Sequence, residues 1–266
     1  MTRRPLDAEL VRRGLAGTRT EARAAVRRGE VVLGGRPADK PSTLVAPDEP
    51  LEMLGPPRRF VSRGGEKLEA ALARFGVDVA GRDCLDAGAS TGGFTDCLLR
   101  RGAARVAAVD VAYGQFAWTL RQDPRVTVLE RTNVRGLRAG ELPFAPEVVV
   151  ADLSFVSLRT VVPVLAGVSG DGAELVLLVK PQFEARPDEV AEGGVVRDPA
   201  VWRRAVERVA EACTGAGLAP QAVMASPLPG PAGNVEFFLH ATKGGPVRAV
   251  DVTLAMDEGR RMAARG

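Results

Sequence analysis

Histidine and cysteine are scarce in this chain, and their scarcity argues against several kinds of catalytic site. Among 266 residues there is one histidine, His240, which leaves almost no material for a Ser-His-Asp triad or a histidine-rich metal site. His240 falls in a predicted strand, where we expect a structural or surface role. Cys84, Cys97 and Cys213 are too few and too widely spaced to indicate a disulfide framework or a zinc site. We therefore expect reduced thiols and no metal.

Long apolar segments are missing as well. No apolar run approaches the ~20 residues that a helix needs to span a bilayer. The first ten residues, MTRRPLDAEL, have no apolar stretch after their arginines and do not resemble a secretory signal. The sequence therefore predicts a cytoplasmic protein without a membrane partner, and it leaves the oligomeric state open.

Charge is present but unevenly distributed. The chain carries a net charge of +3, yet residues 1–63 contain 13 Lys/Arg against 8 Asp/Glu, so the remainder has a net charge of −2. A basic N-terminal part on a nearly neutral body indicates contact with a polyanion at one end of the molecule. A solvated, arginine-rich surface would give the same count, so charge alone leaves both interpretations open.

Residues 1–54 have the pattern of a small α+β unit. Apolar residues recur at helical spacing within residues 6–15 and again within 20–30, and each segment ends at glycine. VVLGGRPA predicts a strand that enters a hairpin turn at Gly34-Gly35, and PLEML at 50–54 predicts another strand. This order resembles the RNA-binding domain first defined in ribosomal protein S-four. The matching residues are Leu10, Gly14, Leu15, Thr18, Arg19, Ala22, Gly29, Val31, Val32, Gly35, Lys40 and Pro41.

The resemblance implies that basic side chains on the helix pair and the adjoining turn meet RNA. The linker that we predict at residues 55–63 adds further arginines, and Pro56-Pro57 would stiffen it. The candidate RNA-binding residues are Arg12, Arg13, Arg19, Arg23, Arg27, Arg28, Lys40, Arg58, Arg59 and Arg63.

Residues 64–266 change to alternating strands and helices. Apolar strands separated by helices predict an α/β fold, with a mostly parallel seven-stranded sheet and helices on both faces. The predicted strands are 82–88, 105–110, 126–129, 147–152, 174–180, 221–226 and 235–241. The predicted helices are 66–75, 93–102, 113–120, 157–167 and 198–217.

The first of these strands runs into a loop of small residues that opens a helix. Such a turn lets a ligand approach the backbone at the carboxyl edge of the sheet. Its spacing resembles the first motif of Rossmann-like methyltransferases, D/E-x-G-x-G-x-G, with Ser90 at the middle glycine. It differs from the G-x-G-x-x-G of nicotinamide enzymes, which remain the alternative. The candidate S-adenosylmethionine-binding residues in the loop are Asp86, Gly88, Ala89, Ser90, Thr91, Gly92, Gly93 and Phe94.

Two later residues extend this hypothesis. Asp110 ends the next strand, where an acidic residue commonly accepts hydrogen bonds from a ribose diol. Asn133 follows the third strand and is a candidate for holding adenine.

Four polar residues stand in otherwise apolar surroundings. Asp152 and Lys180 end the fourth and fifth strands, Glu236 lies near the start of the last strand, and Lys67 precedes the first. Because strand ends at the carboxyl edge of a parallel sheet meet in one crevice, we expect these side chains to converge. Phe94, Phe155, Phe183 and Phe237 flank them in sequence and would either pack in the core or contact an extruded nucleotide.

These stretches identify the chain as resembling the TlyA family, the haemolysin-like rRNA methyltransferases, whose catalytic domain is akin to the FtsJ/RrmJ ribose 2′-O-methyltransferases. The shared stretches include VSRGGEKLEAAL, CLDAGASTGGFTDCLL, ADLSFVSL, LVKPQFE and SPLPGPAGNVEFF, and they run almost end to end. The family's Lys-Asp-Lys-Glu tetrad falls on Lys67, Asp152, Lys180 and Glu236, with Asp152 also near the cofactor.

The resemblance implies methylation of cytidine 2′-hydroxyls in ribosomal RNA, on ribosomes or their subunits, with S-adenosylmethionine as cofactor. The N-terminus and the tail VDVTLAMDEGRRMAARG are similar to those of longer family members, which implies action on both 16S and 23S rRNA. One alternative is an rRNA-binding assembly factor in which methyl transfer is secondary or lost. A membrane-active haemolysin, the source of the family's older name, fits poorly because no segment looks suited to insertion.

Overall fold

The computed structural model describes residues 3–17, 19–54, 59–230, 232–246 and 250–264. Its N-terminal part contains two helices and five short strands. Their bounds are β1 Arg4–Pro5, α1 Leu6–Arg12, α2 Arg19–Arg27, β2 Val31–Leu33, β3 Arg36–Pro37, β4 Leu44–Val45 and β5 Leu51–Met53. We call this part, residues 3–54 as described, the N-terminal module.

The predicted helical spacing explains how the N-terminal module packs. Leu6 and Leu10 lie one turn apart on α1, and Ala22, Ala25 and Val26 lie on one face of α2; all five are buried in one apolar core. β2 pairs with β3 and β5, which confirms the predicted hairpin at Gly34-Gly35 and the strand within residues 50–54. The pairing of β1 with β4 was not predicted.

The rest of the chain forms one seven-stranded sheet with helices on both faces. The strands are β6 Asp83–Ala87, β7 Arg105–Val109, β8 Val126–Leu129, β9 Val148–Ala151, β10 Glu174–Val179, β11 Leu218–Ala225 and β12 Phe237–Lys243. The helices are α3 Gly64–Phe75, α4 Gly93–Arg100, α5 Trp118–Arg121, α6 Leu158–Val168, α7 Pro181–Glu184, α8 Pro199–Gly215 and α9 Thr253–Ala263.

The sheet order is β11-β12-β10-β9-β6-β7-β8, and β12 runs in the opposite direction to the other six strands. Consecutive strand residues point to opposite faces and therefore join two different cores. One core lies against α6, α8 and α9, and the other lies against α3 and α4. The predicted mostly parallel seven-stranded α/β fold is confirmed. None of the helices in the described part of the chain has the length and apolarity needed to cross a membrane.

The helix predicted at residues 113–120 is wrong for most of its length, since α5 covers only Trp118–Arg121. Gly114 has a φ of +75°, and its N–H donates to Glu130 Oε1 at 2.8 Å. The Ala117 N–H donates to the carbonyl of Thr91 at 3.2 Å. These contacts with distant parts of the chain hold residues 111–117 in a bent loop that follows β7.

Candidate active site

The loop between β6 and α4 turns sharply because of its glycine. Gly88 has a φ of +89°, and a Cβ there would overlap the carbonyl of Asp152 and approach the Leu153 side chain. The next residues join the loop to β7, where the N–H of Ser90 donates to Asp110 Oδ2 at 2.7 Å. The other Asp110 oxygen, Oδ1, accepts from the N–H of Ala112 at 2.7 Å. The loop therefore connects the ends of three adjacent strands.

Asp86 lies fully buried beneath this loop. Its Oδ2 accepts a hydrogen bond from Thr95 Oγ at 2.6 Å, whereas its Oδ1 has no hydrogen-bond partner among the described residues. The pKa of Asp86 is raised to about 7, chiefly by burial; the nearby carboxylates of Asp152 and Asp110 act in the same direction, and the hydrogen bonds from Thr95 oppose it. A cationic ligand at the loop would relieve this concentration of carboxylates, so the site fits a positively charged cofactor.

A cleft of about 510 Å³ opens at this edge of the sheet, a volume that suits a small organic ligand. We call it the cofactor cleft. It brings together five residues predicted to bind the cofactor: Gly88, Ser90, Asp110, Asn133 and Asp152. Its other lining residues include Val111, Gln115, Arg135 and Ser154, which were not predicted.

The other predicted loop residues lie elsewhere. Ala89, Thr91, Gly93 and Phe94 line a second cleft described below. Gly92 instead faces the interior, because a Cβ there would come within 2.5 Å of Leu120. The structure thus divides the loop between two clefts and the core.

The four residues of the predicted tetrad form two ion pairs. Lys67, on α3, donates from Nζ to Glu236 Oε2 at 2.6 Å, and both side chains are buried. Lys180 follows β10, and its Nζ lies 2.6 Å from Oδ1 of Asp152, which follows β9. Lys180 Nζ also donates to Ser154 Oγ at 3.0 Å. Two lysines and two carboxylates therefore lie at one edge of the sheet.

The sheet topology explains why Glu236 joins this cluster. β9 and β10 are parallel neighbours, so the residues after them share one edge. Because β12 is antiparallel to β10, the residue before it, Glu236, lies at that same edge. Gly230 leaves room for its carboxylate, since a Cβ at that position would be 2.5 Å from Glu236 Oε1.

A second cleft of about 730 Å³ opens beside the cofactor cleft, and we call it the tetrad cleft. One wall belongs to the N-terminal module and consists of Thr20, Glu21, Ala24, Arg28 and Glu30. Its opposite side contains all four tetrad residues together with Arg63. The two clefts share Gly88, Ser90, Asp152 and Ser154. A group bound in one cleft would therefore meet a group bound in the other beside Asp152 and Ser154.

The four flanking phenylalanines divide into two pairs. Phe94 and Phe237 are buried core residues. Phe155 is 91% exposed and has a φ of +61°, a conformation rarely adopted outside glycine. Its ring lies 5.3 Å from the half-buried ring of Phe183. Of the four, Phe155 lines the cofactor cleft with an exposed ring and Phe94 lines the tetrad cleft from the core.

The arginines of the N-terminal module are mostly paired within it. Asp7 accepts from Arg19 and Arg23, and Glu9 accepts from Arg12 and Arg13. The guanidinium groups of three of these remain about half exposed and can still meet a phosphate; they are Arg12, Arg19 and Arg23.

Arg13 differs, because its side chain is only 19% exposed. It donates to the carbonyl oxygens of Ala46, Pro47 and Glu49 as well as to Glu9, so it ties α1 to the loop before β5. The prediction that Arg13 binds RNA is therefore not supported by its geometry, which is that of a structural residue.

The remaining basic candidates vary in their surroundings. Arg28 pairs with Glu30 at 2.6 Å, and Arg59 pairs with Glu69 at 3.1 Å. Three exposed candidates form no ion pair in the part of the chain that the structure describes; they are Arg27, Lys40 and Arg63. Thr18 and Arg58, which were also singled out from the sequence, lie outside the described residues.

The comparisons with known proteins agree with this architecture. Residues 60–243 match the FtsJ-like methyltransferase family, and residues 4–51 match the S4 domain. The 16S/23S rRNA (cytidine-2′-O)-methyltransferase TlyA of Mycobacterium tuberculosis is 54% identical over 235 residues, which cover 88% of each chain. The 23S rRNA (cytidine-2′-O)-methyltransferase TlyA of Campylobacter jejuni is 31% identical over 69% of this chain and 71% of its own.

A solved structure from Streptococcus thermophilus, provisionally described as a hemolysin, superimposes with a TM-score of 0.77. It is 37% identical and covers 100% of this chain and 97% of its own. The family match spans most of the chain, and the relatives align across both the N-terminal module and the sheet. The chain belongs to the TlyA family of FtsJ-like methyltransferases.

Proposed function

We propose that this chain transfers a methyl group from S-adenosylmethionine to the 2′-hydroxyl of a cytidine in ribosomal RNA. The observation that carries the proposal is the paired lysine–carboxylate tetrad at the point where the cofactor cleft and the tetrad cleft meet. The names of the two TlyA relatives support the substrate. Because the 54% identical relative is named for 16S and 23S rRNA and the 31% identical one for 23S alone, we propose both as substrates.

The cofactor cleft would hold S-adenosylmethionine, which supplies an electrophilic methyl group bonded to a positively charged sulfur. Asp110 would accept hydrogen bonds from the ribose diol, since each of its oxygens has spare acceptor capacity beyond one backbone N–H. Asn133 would contact the adenine. The carboxylates of Asp86 and Asp152 would favour the positive charge.

In the tetrad cleft, Lys180 and Asp152 would act on the ribose hydroxyl. Transfer of the methyl group to the ribose oxygen requires that the hydroxyl proton leave. That proton would pass to Nζ of Lys180 in its unprotonated form, and Asp152 would hold the ammonium that results. The ammonium of Lys67, held by Glu236, stabilises negative charge that develops on the oxygen. Ser154 orients the Lys180 amine from its second side. The exposed ring of Phe155 offers a surface on which an extruded base can stack.

We propose that the parts of the chain have separate roles: residues 1–54 bind rRNA, residues 55–63 form the linker, and residues 64–266 carry out methyl transfer. The half-exposed arginines of the N-terminal module support the first part of this proposal, as do the exposed Arg27 and Lys40, which have no ion-pair partner among the described residues.

The test is transfer of labelled methyl from S-adenosylmethionine to rRNA that lacks the modification, followed by mapping of 2′-O-methyl groups. We expect Lys180→Ala to lower transfer by about 10²–10⁴-fold while RNA still binds. Lys243→Ala is the matched control, because Lys243 contacts the carbonyl of Ser169 at the opposite edge of the sheet. A wild-type chain that binds cofactor and rRNA but transfers no methyl would favour the assembly-factor alternative.

A further inference from the structure

Two loops at the carboxyl edge of the sheet are joined to each other at successive points. The first runs from Asp152 to Leu158 and the second from Lys180 to Glu184. Their first contact is the ion pair of Lys180 with Asp152, together with the hydrogen bond to Ser154. Their second contact is the ring pair of Phe155 and Phe183.

Glu184 makes the third contact, and it is the most buried. Its side chain is almost fully buried, its Oε2 accepts from Ser157 Oγ at 2.5 Å, and its Oε1 accepts from the N–H of Leu158 at 2.6 Å. The Arg159 guanidinium lies 3.3 Å from Oε2. Glu184 thus caps the N-terminus of α6 from a different segment of the chain.

The loop 152–158 has few contacts that hold its backbone and side chains in place. Phe155 is held in a left-handed conformation that costs backbone energy unless the surroundings impose it. Its ring packs against Phe183 and is otherwise largely exposed. Between Phe155 and the start of α6, this loop is therefore held by the pair of short hydrogen bonds to Glu184.

We propose that Glu184 is a positioning residue that fixes the loop 152–158 against the loop 180–184. In this way it holds Ser154 beside the Lys180 amine and keeps the Phe155 ring at the rim. This inference rests on the proposed function, because the geometry it controls is that of methyl transfer. Glu184 itself lines neither cleft. Small displacements of reacting groups cost rate more than binding, so its loss should affect turnover first.

The decisive variant is Glu184→Gln, which keeps the volume and one acceptor but removes the oxygen that accepts from Ser157. Asp198→Asn is the matched control, because Asp198 also caps a helix: its Oδ1 accepts a hydrogen bond from the N–H of Ala200 at 2.8 Å, at the start of α8. We would measure thermal unfolding, cofactor affinity and the single-turnover rate at saturating rRNA. We expect Glu184→Gln to lower that rate by roughly tenfold with cofactor affinity retained. The control should transfer methyl at the wild-type rate.

Ser157→Ala provides a second, milder variant if Glu184→Gln does not fold. It removes one hydrogen bond and leaves the backbone cap from Leu158 intact. We expect Ser157→Ala to lower the single-turnover rate at saturating rRNA by less than Glu184→Gln does. Glu184→Asp, which keeps the carboxylate, should recover part of the rate that Glu184→Gln loses. Wild-type rates in both Glu184→Gln and Ser157→Ala, or a loss that higher rRNA concentration abolishes, would overturn the inference. Absence of transfer by the wild-type chain would instead remove the proposed function.

Discussion

Buried carboxylates occur in both the N-terminal module and the catalytic part of the chain, but their surroundings differ. Asp7 and Glu9 are buried in the module, and both oxygens of each accept hydrogen bonds from arginines. Asp86 is buried beneath the loop that lines both clefts, and Glu236 is buried in the tetrad cleft; within the described residues each has one oxygen without a hydrogen-bond partner. The carboxylate oxygens therefore all have hydrogen-bond donors in the first region, whereas in the second region one oxygen of each carboxylate has none among the described residues.

The pKa values follow the same contrast. Hydrogen bonds from Arg12 and then Arg13 outweigh burial and lower the pKa of Glu9 to about 2. Burial instead raises the pKa of Asp86 to about 7. Buried polar groups in proteins are normally satisfied, so an incomplete one points to a ligand or a reaction. We therefore interpret the module's carboxylates as structural and those at the clefts as functional.

The largest effect should come from breaking the buried pair of Lys67 and Glu236. Glu236→Ala leaves the Lys67 ammonium buried without its carboxylate, which should cost about 3–5 kcal/mol of unfolding free energy and abolish detectable methyl transfer. Urea unfolding and the transfer assay would measure the two effects.

The double variant Lys67→Met with Glu236→Leu separates the loss of stability from the loss of methyl transfer. Replacing a buried ion pair by apolar residues is often neutral for stability, so the double variant should unfold at higher urea than Glu236→Ala yet remain inactive. Glu9→Gln is the control from the N-terminal module, since it should lower stability but not the rate at saturating rRNA. Substantial transfer by Glu236→Ala would remove the functional half of the comparison.

A smaller effect is expected from Asp86→Asn, and it depends on pH. Because the folded-state pKa of Asp86 is raised to about 7, its contribution to stability is present below the unfolded pKa, near 4, and is lost as pH rises through about 7. Wild-type stability should therefore fall relative to Asp86→Asn between pH 5 and pH 8. Thermal unfolding of both chains across that range measures the difference.

From the raised pKa of Asp86 we also predict that cofactor binding releases a proton. A cationic cofactor favours the ionised carboxylate, so binding at pH 6 should release a proton from Asp86 to the buffer. The calorimetric binding enthalpy should then vary with buffer ionisation enthalpy at pH 6 and vary less at pH 8. Asp86→Asn should lose this dependence and bind roughly tenfold more weakly. An equal buffer dependence in both chains would assign the proton to another group.

Sequence patterns predicted what depends on nearby residues. The strand preceding Gly88, the hairpin at Gly34-Gly35 and the strand-end positions of Asp152 and Lys180 follow from local spacing and are found in the structure. Tertiary contacts decided the rest. The pairing of Glu236 required a strand reversal that spacing does not reveal, although its motif marked it as a candidate.

Residues that act through distant partners gave little or no local signal. Arg13 looks like any basic helix residue until its bonds to carbonyls more than 30 residues away are known. Glu184 and Ser154 were missed although both fall within quoted motifs, LVKPQFE and ADLSFVSL. Ser154 is a polar residue in an otherwise apolar motif, two positions after Asp152, and this pattern would have indicated it as a candidate.

The smallest effect distinguishes two arginines of the N-terminal module. Arg27 is exposed and forms no ion pair in the described chain, whereas Arg13 is tied to α1 and to backbone carbonyls. Each phosphate contact that is lost lowers the slope of log affinity against log salt by about one. Arg27→Gln should therefore weaken rRNA binding a few-fold and reduce that slope, while Arg13→Gln should lower the melting temperature and leave the slope unchanged. Equal slopes for the two variants would mean that the number of arginines, rather than their ion pairing, sets RNA affinity. The contrast between paired and unpaired charged groups would then not extend to RNA binding.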